Sequence, residues 1–250
     1  MPTRLDATDA GFEEAFQTFL NARRHAQEDV APAVAQILDE VRGGGDKALQ
    51  NLARKFDHFD LAAAGMAVGA AQLDAARAQC GQDELDALEL AARRIRDFHE
   101  RQMPEDLDYT DDVGMRLGYR WTPINAIGMY VPGGTAAYPS SVLMNALPAK
   151  VAGVGRLVMA VPSPKGKINP LVLAAAGIAG ADEIYRIGGA QAIGALAYGT
   201  ETIQPVDKIV GPGNAYVAAA KRQVFGQVGI DMMAGPSEVL ILADGTCDPS

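Results

Sequence analysis

From residue 124 onward the chain repeats one pattern: a short apolar run, a turn rich in glycine or proline, and an alanine-rich segment of helical length. The runs are INAIGMYV (124–131), RLVMAVP (156–162), DEIYRIGG (182–189), VDKIVGPG (206–213) and IDMMAGPSEVLILAD (230–244). Strands that alternate with helices of this length need crossover connections, which place helices on both faces of a parallel sheet. The pattern therefore predicts an α/β protein.

The first hundred residues carry helical periodicity instead of this alternation. We expect helices at 9–27, 29–42, 46–56, 70–80 and 82–102. The glycines at 43–45 are a strong helix breaker, so one helix is expected to end there. Residues 113–121 alternate apolar and polar side chains, as a half-exposed strand does.

Three strand-to-helix turns carry glycine, at 133–134, 188–189 and 211–213. Backbone N–H groups at a helix start lack partners and carry the positive end of the helix dipole, which suits phosphate or carboxylate. In a parallel sheet such turns meet at the carboxyl ends of the strands, where ligands of open α/β sheets bind. The turns therefore predict a ligand cleft. The alternative for 211–213 is a tight βα turn with Asn214 as the helix N-cap.

Standard nucleotide signatures are missing. Gly153 and Gly155 form a Gly-x-Gly that precedes a strand and lacks the third glycine, and no Walker A sequence occurs. His25, His58 and His99 all lie in the helical half, at a spacing that fits no metal site, so we expect surface or capping roles for them. The glycine-rich half therefore lacks a histidine base, and we assign no catalytic residue and no metal ligand.

Charge and composition exclude several classes of protein. A formal net charge of −9 argues against sequence-independent nucleic-acid binding, which needs a basic face. No apolar run reaches the roughly 18 residues that span a bilayer. The two cysteines lie far apart and the N-terminus lacks an apolar signal segment, which favours a reducing cytoplasm.

Four motifs together resemble the histidinol dehydrogenase family: YVPGG (130–134), GAQAI (189–193), VDKIVGPGN (206–214) and AGPSE (234–238). The resemblance implies an NAD- and zinc-dependent oxidoreductase of histidine biosynthesis, which oxidises L-histidinol to L-histidine through L-histidinal. It also implies a homodimer and two incomplete Rossmann-like domains with parallel sheets, similar to aldehyde dehydrogenases, preceded by N-terminal helices.

The family's NAD contacts fall on Tyr130, Gln191 and Asn214, and its substrate-contacting serine falls on Ser237. Its zinc ligands and its glutamate–histidine acid–base pair match nothing in these 250 residues and are expected beyond residue 250. We therefore expect the chain alone to be inactive. Met233 departs from the family pattern, which implies proline at that position.

The resemblance implies three parts: an N-terminal helical region with the first part of domain 1 (1–128), an NAD-binding Rossmann-like domain (129–237) and a return into domain 1 (238–250). Two alternatives stay open. One is a non-catalytic nucleotide- or anion-binding module. The other is a different oxidoreductase on an aldehyde-dehydrogenase-like scaffold, which suffers from the lack of a thiolate nucleophile in the cleft.

Overall fold

The computed structural model describes residues 3–28, 30–133, 138–232, 243–244 and 246. Its N-terminal part is helical, as predicted. The helices are α1 (Phe12–Glu28), α2 (Ala31–Phe56), α3 (Leu61–Ala64), α4 (Ala70–Ala78) and α5 (Gln82–Glu100).

The glycine run at 43–45 interrupts the helix, as predicted. The φ of 52° and ψ of −135° at Gly45 are not helical, so α2 consists of two helical segments that meet at a bend. Val41 before the bend and Leu49 and Leu52 after it are all buried in one core. Tertiary packing therefore holds the two helical segments together across the bend.

An antiparallel hairpin follows α5. Its strands are β1 (Leu107–Thr110) and β2 (Arg116–Tyr119), and all eight residues are exposed. The predicted strand at 113–121 is confirmed only over β2. Residues before β2 form the turn, in which the Asp111 carboxylate accepts from the N–H groups of Val113 (3.1 Å) and Met115 (2.8 Å).

Five parallel strands form the main sheet in the order β5-β4-β3-β6-β7. The strands are β3 (Ala126–Tyr130), β4 (Arg156–Ala160), β5 (Glu183–Tyr185), β6 (Lys208–Val210) and β7 (Gly229–Ile230). The connecting helices are α6 (Pro139–Val151), α7 (Pro170–Ala179), α8 (Gly189–Tyr198) and α9 (Ala215–Val224). Strand order runs outward from β3 to β5 and then resumes with β6 on the other side of β3, so it reverses between β3 and β6.

Two cores cover the two faces of this sheet. On one face α2 packs against α8 and α9, and on the other α4 and α5 pack against α6 and α7. Gly194 of α8 allows a close approach of α2, because a Cβ there would lie 3.1 Å from the Leu38 side chain. The predicted α/β class, with a parallel sheet and N-terminal helices, is confirmed.

Three sequence predictions fall on residues outside the described part of the chain. These are Ser237, the Met233 departure and the strand within 238–250 that was expected to return to the first domain. None of the helices in the described part combines the length and the apolar character that crossing a bilayer requires.

Candidate nucleotide-binding site

A cavity of about 550 Å³ lies at the carboxyl ends of the parallel strands, beside the point where strand order reverses. Open α/β sheets bind their ligands at this point. The turns that follow β3, β4, β5 and β6 form one wall, and α2 forms the other. Residues from the turns that line it include Tyr130, Gly133, Pro162, Gly188, Gly189, Gln191 and Asn214.

Tyr130, the last residue of β3, is 3% exposed. Its hydroxyl oxygen accepts a hydrogen bond from the N–H of Gly189 at 3.2 Å, which ties the end of β3 to the turn after β5. Burial raises the pKa of this phenol, so it keeps its proton at neutral pH. The O–H of Tyr130 therefore remains a donor toward the cavity.

The turn after β5 needs its two glycines. A Cβ on Gly188 would lie 2.6 Å from Cβ of Pro162, and Gly189 has a φ of +63°. Both features exclude an ordinary side chain without a shift of the backbone. Gln191, in the first turn of α8, is 4% exposed and lines the cavity.

The turn after β6 is the tightest. Gly211 has a φ of +105°, and a Cβ there would lie 2.1 Å from the carbonyl oxygen of Tyr130. The Asn214 side chain accepts from the N–H of Val217 at 3.1 Å and so caps α9. The capping role considered for Asn214 is therefore confirmed, and its place on the cavity wall leaves its amide N–H₂ available to a ligand.

A buried ion pair holds the Gly211 turn in place. Lys221 of α9 is 6% exposed, and its ammonium pairs with the Asp231 carboxylate and donates to the Gly211 carbonyl at 3.1 Å. The other oxygen of Asp231 accepts from the N–H of Gly211 at 2.9 Å. Both backbone polar groups of Gly211 are therefore satisfied by one pair of side chains.

The α2 wall was not predicted from the sequence. Lys55, Phe56 and Asp57, at the end of this helix, line the cavity opposite the glycine turns. The Oδ2 atom of Asp57 is buried and has no hydrogen-bond donor within reach in the described part of the chain. Burial raises the pKa of this carboxyl, and the nearby His58 acts in the opposite direction. The packing of α2 against α8, which brings these residues here, is a long-range contact without a local sequence signal.

The structure brings together Tyr130, Gln191 and Asn214, the three residues to which the family resemblance assigned NAD contacts. His58 is exposed, and His99 is half-buried against the Phe98 ring, with ring centroids 5.3 Å apart. Neither of these two histidines lines the cavity. Among the residues that the structure describes, no three His, Cys, Asp or Glu side chains cluster in a way that could hold a metal ion.

The strand order, the reversal between β3 and β6 and the glycine turns around the cavity define a Rossmann-type α/β protein. Comparison with known proteins identifies the family. The chain belongs to the histidinol dehydrogenase family, whose model matches residues 20–250.

The similar proteins match most or all of this chain but are longer than it. Histidinol dehydrogenase from Rhodospirillum rubrum is 62% identical over 249 residues, which is 100% of this chain and 57% of that protein. The protein of the same name from Rhodopseudomonas palustris is 61% identical, with 100% and 58% covered. A crystal structure of histidinol dehydrogenase from Elizabethkingia anophelis superposes with a TM-score of 0.81 at 40% identity, covering 88% of this chain and 51% of that one. The chain thus spans less than three fifths of these relatives.

Proposed function

We propose that the cavity binds NAD and that the chain supplies the cofactor-binding part of a histidinol dehydrogenase. The observation that carries this proposal is the convergence of Tyr130, Gln191 and Asn214 on one cavity at the reversal of strand order. The 129–237 segment would then be the NAD-binding domain.

The residues of the cavity fit a dinucleotide. Gly188 and Gly211 let the turns pack against Pro162 and the Tyr130 carbonyl, which brings the turns together at the cavity. Helices α8 and α9 begin at the cavity, and the N–H groups of their first turns lack intrahelical acceptors. Tyr130 accepts from the N–H of Gly189 and Asn214 accepts from that of Val217, so the donors left for a ligand are the other N–H groups of these turns. These two helix starts favour the pyrophosphate, because they present N–H donors and the positive ends of two helix dipoles.

Polar side chains around the cavity would orient the ligand. The hydroxyl of Tyr130 and the amide of Asn214 offer donors, and the buried amide of Gln191 offers both a donor and an acceptor. Bound NAD would supply the hydride acceptor that an alcohol or aldehyde oxidation requires. The role of this chain is therefore to bind and orient, and we propose no catalytic residue within it.

The activity of the whole protein is a further proposal, because this chain spans 57% of its relative from R. rubrum. The name of the relatives supports dehydrogenation of histidinol. The four-electron course from L-histidinol to L-histidine rests on the family resemblance. Zinc dependence rests on the family resemblance alone, and the described residues form no site that fits the ion. The homodimer, the cytoplasmic location and a substrate contact at Ser237 also stay predictions.

Calorimetric titration of the chain with NAD, with and without L-histidinol, tests the proposal. We expect saturable NAD binding to the chain alone. Gln191→Leu keeps the side-chain volume but removes the amide, so it should weaken NAD binding about tenfold, the loss expected for one or two hydrogen bonds. Gln227→Leu removes an exposed amide outside the cavity and is the matched control.

A chain that binds no NAD at millimolar concentration would contradict the proposal. Equal weakening by Gln191→Leu and Gln227→Leu would place the ligand elsewhere. If NAD binds both to the chain and to a form extended to the length of its relatives, but neither form turns over histidinol, the module alternative is favoured instead.

A further inference from the structure

Asp57 occupies an unfavourable position for a carboxylate. It caps the carboxyl end of α2, where the helix dipole is negative, and a cation would be favoured there. Its Oδ2 atom is buried without a donor among the described residues. A buried polar atom without a partner costs free energy, so the folded chain alone gains nothing from this side chain.

The backbone of Asp57 is nevertheless held firmly at both ends. Its N–H donates to the carbonyl of Ala53 within α2, and its own carbonyl accepts from the N–H of Lys165 at 2.8 Å. Lys165 belongs to the loop that follows β4. Asp57 is therefore anchored through its backbone to the loop after β4, and it is one of the residues that line the cavity together with Tyr130 and Gln191.

In dinucleotide-binding sheets, a carboxylate after the second parallel strand accepts hydrogen bonds from the adenosine ribose. Here β4 is the second parallel strand, and the residues after it, VPSPKGKI (161–168), contain no Asp or Glu. The segment after β4 therefore lacks the acidic residue that usually binds the ribose. Asp57 reaches the same end of the same strand from a different part of the chain.

We propose that Asp57 accepts hydrogen bonds from the adenosine ribose hydroxyls of bound NAD and makes the cavity select NAD over NADP. This inference rests on the proposed function, since it concerns the same cavity. The ribose hydroxyls would donate to the Asp57 carboxylate at the cavity wall and offset the cost of its partial burial. NADP carries a 2′-phosphate in place of one hydroxyl, and this dianion would lie against the Asp57 carboxylate with no proton to donate.

Titration of NAD and NADP into the chain and into Asp57→Asn tests the inference. The chain should bind NAD at least about tenfold more tightly than NADP. Asp57→Asn should weaken NAD binding about tenfold or more, the loss expected for hydrogen bonds to a charged acceptor, and should bring the two dissociation constants close together. Asp39→Asn removes an exposed carboxylate from the same helix, outside the cavity, and should leave both constants unchanged.

Urea unfolding guards against a folding artefact, because Asp57→Asn removes an unfavourable buried charge and should be no less stable than the chain at pH 7. NAD binding with an unchanged NAD-to-NADP ratio in Asp57→Asn would overturn this inference and leave the proposed function standing. Failure of the unaltered chain to bind NAD would overturn both.

Discussion

Replacing Gly211 with alanine is the sharpest test of how the turn after β6 is built. A non-glycine residue held at a φ of +105° costs on the order of 1–3 kcal/mol. The new Cβ would also lie 2.1 Å from the Tyr130 carbonyl oxygen, whereas real Cβ contacts stay above 3.0 Å. That oxygen belongs to the central strand β3, so overpacking there adds about 1–3 kcal/mol. We expect Gly211→Ala to lower the free energy of unfolding by about 4 kcal/mol in total.

Gly226 provides a matched control, because its φ of +99° is nearly the same and no atom lies within 4 Å of its ideal Cβ. Gly226→Ala should therefore cost only the backbone term, about 1–3 kcal/mol. Gly177 lies inside α7, with open space where a Cβ would be, so Gly177→Ala should raise the free energy of unfolding by roughly 0.5–1 kcal/mol.

Urea unfolding followed by far-ultraviolet circular dichroism measures all three variants, and calorimetry measures their NAD affinity. Gly211→Ala should be the least stable of the three and should also bind NAD more weakly. The backbone must move to relieve the clash with the Tyr130 carbonyl, and this movement displaces Asn214 and the end of β3. If Gly211→Ala costs no more than Gly226→Ala, the close packing of β3 against β6 that defines the cavity is refuted.

The remaining predictions concern the ion pair, a titration and turnover. Lys221→Met should lower the free energy of unfolding by about 2–3 kcal/mol, less than the 3–5 kcal/mol of a fully buried pair, because the Asp231 side chain is 30% exposed. Lys150→Met, whose pair with Asp182 is more exposed, should lower it by under about 1 kcal/mol. Equal losses in urea unfolding would contradict the structural role of the Lys221–Asp231 pair. The raised pKa of Asp57 means that the folded state holds this proton more tightly than the unfolded state, so the contribution of Asp57 to stability falls as pH rises from 3.8 through the raised value. The stability of Asp57→Asn relative to the unaltered chain should therefore increase as pH rises through that window, which urea unfolding at several pH values would show. A difference in stability that does not change with pH would contradict the raised pKa of Asp57. The 250-residue chain with L-histidinol, NAD and zinc should form no NADH above a blank at 340 nm, and steady NADH formation would mean that it contains its own acid–base groups.

Local patterns predicted the elements that local forces determine. The glycine turns at 188–189 and 211–213 are readable because only glycine tolerates their backbone angles and close contacts. The α/β class follows from the alternation of short apolar runs and helices. β1 escaped prediction because LDYT (107–110) is short and exposed and pairs with β2, another short exposed strand.

Long-range packing determined what the sequence could not predict. The glycines predicted the break at Gly45, but the core that the two halves of α2 share is a long-range contact. The same packing carries Asp57 to the end of β4, more than a hundred residues away in sequence, where no local pattern could place it. Ser237 lies outside the described residues, so its predicted substrate contact is untested.

A crystal structure of the chain grown with NAD tests the central claim most directly. We predict electron density for the dinucleotide in the cavity between α2 and the glycine turns, with the pyrophosphate at the starts of α8 and α9 and the adenosine ribose at Asp57. Density for NAD at any other surface, with this cavity holding only solvent at saturating NAD, would contradict it.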